Sequence, residues 1–146
     1  MRKLILIVIV IIAGYFGGVE SGFILPWYSH SVSTNSSDQV LAAAFENHQS
    51  NIEVQGVGKV SRILADDNDG IRHQRFIVQL ATGQTLLIAH NIDLAMRVSS
   101  LETGDHIEFH GEYEWNSEGG VIHWTHHDPQ GIHISGWLKH NGHNYQ

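Results

Sequence analysis

The sequence predicts a mainly β fold, a five-stranded OB-type barrel with one or two short helices, preceded by an N-terminal hydrophobic signal or anchor segment. Three observations lead to this fold class. Five stretches alternate apolar and polar residues, which is the pattern of strands with one buried and one exposed face. The first stretch is long and contains Gly56 and Gly58, where a strand can bend sharply. Five strands fit an OB-type barrel better than a β-sandwich, which needs more.

Residues 1–21 have the features of a signal peptide or a signal anchor. The charged start Met1-Arg2-Lys3 precedes a run without polar residues from Leu4 to Ile12. This run is shorter than the about 20 residues of a spanning helix, and Val19-Glu20-Ser21 offers small residues to a signal peptidase, so a retained anchor and a cleaved signal both remain open. The basic residues precede the run, which predicts that the domain lies on the periplasmic side of a bacterial cell envelope, secreted or anchored in the inner membrane.

Residues 22–36 form the predicted tether, and residues 37–146 form the predicted barrel domain with a His-rich C-terminal tail. The tether region includes most of the polar stretch SHSVSTNSS, whose composition is typical of a flexible linker. Ser36 and Gln39 have the spacing of a capping box, and apolar residues recur at helical intervals up to His48. A short helix is therefore expected to cover one end of the barrel.

The strands follow in chain order. Residues 51–64 form the long first strand, and residues 72–80 and 84–90 form a hairpin joined at Thr82-Gly83. Residues 91–101 are long enough for a turn of helix before the fourth strand. The tail after Pro129 is expected to pack back over the barrel through Trp137 and Leu138.

The clearest strand pattern is the predicted hairpin from Gly104 to Pro129. On its first arm four large apolar residues alternate with histidines and glutamates, and on its second arm Ile122 and Trp124 alternate with polar residues. Pairing Trp115 with Ile122 places both apolar rows on one face. The pattern therefore predicts Trp124 as a core residue on the fifth strand.

Composition excludes several classes of function. The chain has 8 Lys and Arg against 15 Asp and Glu, a formal net charge of −7, which works against sequence-independent binding to nucleic acid. It contains no cysteine, so disulfide frameworks, thiol nucleophiles and sulfur-based zinc sites are excluded. The 12 histidines are its unusual feature, and most lie within the predicted barrel and its tail.

Four segments of the sequence resemble a bacterial family of unknown function. The segments are RHQRFIVQL, LLIAHNIDLA, GDHIEFHGEYEWN and GGVIHWTHHDPQGIHISGWLKHNGHNY. They resemble the domain-of-unknown-function family 3465, and the resemblance extends over roughly Gly56 to Tyr145. It implies the domain boundaries and an OB-like fold, and it implies no catalytic residue.

Histidine and aspartate side chains are expected to meet at one rim of the barrel. In an OB-type barrel the third and fifth strands are parallel neighbours, so their carboxyl ends lie at the same rim. Imidazole and carboxylate groups without sulfur suit zinc, nickel, copper or iron. The candidate metal ligands are His90, His126, Asp128, His73 and His133.

One alternative to this metal site remains open: the same side chains can hydrogen-bond to the backbone where strands separate at a rim. A second cluster is expected on the exposed face of the central hairpin, either as a second candidate site or as a solvated strand face with cross-strand charge pairs. The second cluster consists of His110, Glu112, Glu114, His123 and His127.

Two classes of function survive. One is an exported or membrane-anchored binding module for an envelope ligand or glycan, and the other is a small metal-dependent hydrolase that uses the rim. The sequence favours the binding module, because small OB barrels bind more often than they catalyse. It indicates no catalytic residue and no oligomeric state.

Overall fold

The computed structural model describes residues 36–146. The predictions of a signal or anchor over residues 1–21 and of a tether up to residue 35 lie outside the described residues. In residues 36–146, no helix is both long and apolar enough to cross a membrane. The elements of this part of the chain are α1 (Ser36–Glu46), β1 (Ile52–Ile63), β2 (His73–Gln79), β3 (Thr85–Asn91), β4 (His106–Glu114), β5 (Val121–His123), β6 (Trp137–His140) and β7 (His143–Tyr145).

The first five strands close into a barrel. Their order is β1-β2-β3-β5-β4, and β4 also pairs with β1, which closes the sheet. The pairing of β3 with β5 is parallel, whereas the other pairings are antiparallel. This is the connectivity of an OB-type barrel, so the predicted fold class is confirmed.

The barrel core consists of the inward-facing residues of the alternating strands. On β4, Phe109 and Tyr113 are fully buried, as the alternation predicts. Gly111 lies between them, where a Cβ atom would stand 2.4 Å from the backbone oxygen of His123. Glycine is also needed at position 56, because a Cβ atom added there would stand 2.6 Å from the Phe109 ring. These glycines let neighbouring strands and rings approach closely inside a narrow barrel.

Helix α1 covers one end of the barrel, as predicted. Leu41 and Ala44 are buried against the core. The indole Nε1 of Trp115 donates a hydrogen bond of 3.1 Å to the backbone oxygen of Phe45, which fixes the end of the helix to the end of β4. Residues 91–101 contain a turn instead of a second helix.

The second arm of the central hairpin differs from its prediction. Strand β5 pairs Ile122 with Tyr113 and not with Trp115, and it ends at His123. Trp124 has a φ of 55°, which turns the chain out of the sheet. Trp124 is half-buried and is not a core residue, so the prediction that placed it in the core is wrong.

Residues 124–136 form an excursion that interrupts the fifth barrel strand. The chain returns at Gly136, whose backbone nitrogen donates to the oxygen of His126 at 3.0 Å. Strand β6 then pairs with β4, with Leu138 opposite Phe109. It pairs with the same edge of β4 that pairs with β5 further along the strand. The tail therefore packs back onto the barrel, with Leu138 in the core as predicted and Trp137 half-buried on the outer face.

Candidate functional site

His90 lies at the end of β3 and is completely buried. Its Nδ1 is 2.8 Å from the Thr125 hydroxyl and its Nε2 is 3.1 Å from the backbone oxygen of Met96. A carbonyl oxygen only accepts, so Nε2 carries the proton and Nδ1 accepts from Thr125. Burial, with a smaller contribution from the nearby charges of His126 and His73, lowers the pKa of His90 to about 4. His90 is therefore a neutral side chain that joins β3 to two loops at the rim.

His126 and Asp128 hold the excursion in shape. The Nδ1 of His126 lies 2.8 Å from the backbone oxygen of His127. The carboxylate of Asp128 accepts three backbone N–H groups, from Gln130 at 2.9 Å, from Ile132 at 2.7 Å and from His133 at 2.8 Å. These hydrogen bonds lower the pKa of Asp128, so the side chain stays ionised and organises the loop around itself.

The other two predicted ligands lie in different settings. His73 begins β2 and exchanges backbone hydrogen bonds of 2.9 Å with Asp67. His133 stacks on Trp124, with ring centroids 3.7 Å apart and planes at 19°, and its charge acts on Glu53 of β1. The structure thus brings His73, His90 and His126 close enough to interact electrostatically, while His133 lies against Trp124.

The metal site at the rim stays a prediction. Within residues 36–146, no set of three or more His, Asp or Glu side chains stands in an arrangement ready to hold a metal ion. The hydrogen bonds of His90 and Asp128 give these side chains a structural role, which is the alternative that the sequence left open for the rim.

The second predicted cluster lies on the outer face of β1, β4 and β5. His110 Nε2 lies 3.0 Å from Glu53 Oε1, and His123 Nε2 lies 3.3 Å from Glu112 Oε1. Burial raises the pKa of Glu53, and the charge of His110 opposes that rise. These contacts are the cross-strand pairs expected on a sheet face. His127 lies apart from them, exposed on the excursion, with its Nδ1 3.0 Å from the Ser135 hydroxyl.

A groove that sequence reasoning missed lies on the outer face of β2 and β3. Its volume is about 610 Å³. Its floor includes Ile77 and Leu87, which are directly paired across the two strands. One wall is the β4–β5 loop, held in place where the Gln84 side chain donates to the backbone oxygen of Gly119 at 2.8 Å. The lining residues are Ser61, Arg62, Leu64, Arg75, Ile77, Thr85, Leu86, Leu87, Asn116, Glu118 and Gly120.

A β-bulge brings Arg62 into this groove. Val60 pairs with Val78, but Arg62 pairs with Ile77, so the register shifts by one residue at Ser61. Without the bulge, Arg62 would lie two residues beyond the buried Val60 and would point into the barrel. With the bulge, it lies opposite the outward-facing Ile77. Bulges commonly redirect a side chain in this way next to functional sites.

Arg62 and Arg75 differ from the other arginines of the barrel. Arg72 pairs with Asp93 at 2.7 Å, and Arg97 pairs with Asp66. In the part of the chain that the structure describes, neither groove arginine has a carboxylate within ion-pair distance. Arg75 is held by its Nε, which donates to the backbone oxygen of Ala65 at 3.1 Å and leaves its terminal nitrogens for another acceptor.

These features define a small closed OB-type barrel with a groove over β2 and β3, the face through which OB folds bind extended ligands. Residues 23–146 match a protein family described as protein of unknown function (DUF3465), and the chain belongs to this family. The match confirms the resemblance seen in the sequence. No curated protein matches the chain. Its function is therefore argued from the site.

Proposed function

We propose that this protein is an exported or membrane-anchored binding module whose ligand occupies the groove over β2 and β3. The observation that carries the proposal is the groove itself, which lies on the ligand-binding face of an OB-type barrel and contains two arginines without carboxylate partners. Its volume of about 610 Å³ is in the range of sites for small ligands.

The construction of the groove supports a binding role. Its floor is a paired sheet, and its β4–β5 wall is fastened to that sheet by Thr85, whose hydroxyl donates to the backbone oxygen of Glu118 at 3.3 Å. Asn116 also shapes the wall, because its Oδ1 accepts the backbone N–H groups of Glu118 at 2.9 Å and Gly120 at 3.0 Å. A rigid site loses little conformational entropy when a ligand binds.

The groove is less suited to catalysis than to binding. Hydrolysis needs an acid and base pair or a metal that activates water. Among the lining residues Glu118 is the one carboxylate, and none of them is a histidine. The hydrolase alternative would have to use the rim, where both ring nitrogens of His90 are engaged in hydrogen bonds.

A binding assay with matched variants tests this proposal. The full-length protein, purified in detergent, is applied to an array of bacterial envelope glycans and peptidoglycan fragments. Leu87→Glu places a charge on the groove floor and is expected to abolish binding. Val57→Glu makes the same change on the outer face of β1, outside the groove, and is expected to retain it. Equal binding by wild type and Leu87→Glu would refute the groove as the site.

A further inference from the structure

We propose that the ligand of this groove is an acidic oligosaccharide, and that a sugar carboxylate is held between Arg62 and Arg75. This inference rests on the proposed function, since it assigns a ligand class to the same groove. It is carried by the placement of Arg62 and Arg75 as neighbours in the groove lining and by the polar and apolar groups around them.

The two arginines are neighbours on one face. Arg62 pairs with Ile77, and Arg75 lies two residues before Ile77 on the same side of β2. Such diagonal neighbours lie about 7–8 Å apart at their Cα atoms, within reach of long side chains. The backbone N–H of Leu64 donates to the oxygen of Arg75 at 3.1 Å, so the end of β1 stays against β2 beyond the bulge. The bulge therefore adds a second cation beside the first.

Two adjacent cations repel each other unless an anion lies between them. The domain has an excess of acidic residues, and its carboxylates pair with Arg72, Arg97 and Lys139 elsewhere on the barrel. In the described residues, none of those carboxylates reaches the groove arginines. The planar fork of a guanidinium fits a carboxylate through two parallel hydrogen bonds. The site thus has the charge and the hydrogen-bond donors for a carboxylate that a ligand would supply.

The rest of the groove suits a hydroxyl-rich ring. The hydroxyls of Ser61 and Thr85 donate to the backbone oxygens of Ile77 and Glu118, so these hydroxyl oxygens and the Glu118 carboxylate offer acceptors along the groove. The amide nitrogen of Asn116 remains a donor, because its oxygen takes both backbone hydrogen bonds. The aliphatic floor offers apolar contact to the C–H face of a pyranose ring. These groups together match a sugar that carries a carboxylate.

Nucleic acid fits the same groove less well. Proteins that bind single strands combine positive charge with aromatic side chains on which bases stack. None of the lining residues is aromatic.

Calorimetric titration of the full-length protein in detergent tests the inference. The probes are trigalacturonic acid and its fully methyl-esterified form, in which an uncharged methyl ester replaces each carboxylate. We expect the wild type to bind the acid at least 10-fold more tightly than the ester. Arg62→Gln and Arg75→Gln should each weaken binding of the acid by about 10-fold or more, the loss that follows from removing a charge-assisted hydrogen bond. The charge-matched control Lys59→Gln lies on β1 outside the groove and should change it less than 2-fold.

The outcomes separate this inference from the proposed function. Equal affinity for the acid and the ester, lost in Leu87→Glu, would overturn the acidic ligand and leave the groove as a glycan site. Failure of both probes to bind, or retention of the acid by Leu87→Glu, would overturn the acidic ligand at this site, and the glycan array then decides the proposed function. Tighter binding of a thymidine oligonucleotide than of the acid would overturn the sugar as the ligand class.

Discussion

At the scale of single residues, the buried His90 at the rim makes the stability of the folded domain depend on pH. Its folded pKa of about 4 lies below the ordinary 6.5, so the unfolded chain takes up the proton first as pH falls. Stability is complete above pH 6.5 and decreases between pH 6.5 and 4, by about 3 kcal/mol at most. Denaturant unfolding at pH 7, 5.5 and 4 should show this loss in the wild type and a smaller loss in His90→Gln. The same pH slope in both proteins would contradict the assignment.

Trp124 provides a second test at this scale. It is half-buried and stacks on His133, whereas Tyr113 is fully buried in the barrel. We expect Trp124→Ala to lower the free energy of unfolding by about 1 kcal/mol, and Tyr113→Ala to lower it by about 3–5 kcal/mol. Denaturant melts measure both. Equal losses would show that Trp124 contributes to the core.

At the scale of elements, alternation predicted the strands well, but not where the fifth strand ends. The residues of β4 face inward and outward as the sequence pattern indicates, because one side of a barrel strand must be buried. The apolar pattern continues through Trp124, so the sequence carried no sign that this residue would adopt a positive φ. The pairing of the hairpin was wrong by two residues, which kept each side chain on its predicted face.

The backbones of β4 and β5 lie close together at Gly111. An added Cβ would meet the backbone oxygen of His123 at 2.4 Å, and a backbone atom inside a sheet cannot move aside cheaply. We expect Gly111→Ala to destabilise the barrel by about 1–3 kcal/mol. Gln55→Ala, on the exposed face of β1 opposite His110, is the control and should stay within about 0.5 kcal/mol of wild type. Comparison of the two midpoints in urea measures the difference, and an unchanged midpoint in Gly111→Ala would contradict the close approach.

The metal site predicted at the rim depends on the protonation state of its histidine side chains. Coordination needs neutral imidazoles with a free nitrogen, so binding should weaken as pH falls through about 6.5. Titration of metal-stripped protein with zinc, nickel and copper tests the prediction of one saturable site. His126→Ala should remove that site, and His110→Ala, on the outer face of β4, should retain it. Absence of a site in the wild type would leave His90 and Asp128 in their hydrogen-bonding roles.

At the scale of the whole molecule, the sequence predicted the barrel, but not its groove. A Gly-bent first strand and a capping helix follow from local patterns, and the parallel pairing of the third and fifth strands follows from the fold class that they indicate. The groove depends on the bulge at Ser61, which moves Arg62 from the inner to the outer face. The alternation of KVSRIL breaks at Ser61-Arg62, where two polar residues follow each other, and this break is the sign of the bulge that the sequence prediction did not use. The histidines, which are more conspicuous in the sequence, lie mainly in hydrogen bonds and cross-strand pairs.

The location of the domain is a second prediction at this scale. The charged start and apolar run of residues 1–21 predict that the barrel lies outside the cytoplasm. Alkaline phosphatase fused after Tyr145 should therefore be active, because that enzyme folds in an oxidising compartment. An inactive phosphatase fusion together with an active cytoplasmic reporter at the same position would contradict an exported domain.

The central claim is that the groove over β2 and β3 binds the ligand. The most direct measurement is a titration of isotope-labelled protein with trigalacturonic acid, followed through the backbone amide signals. The account predicts saturable shifts in residues 61–64, 75–77, 85–87 and 116–120, with no comparable shifts in residues 124–136 of the excursion. Shifts concentrated in the excursion or around the histidine pairs on β4 would contradict it.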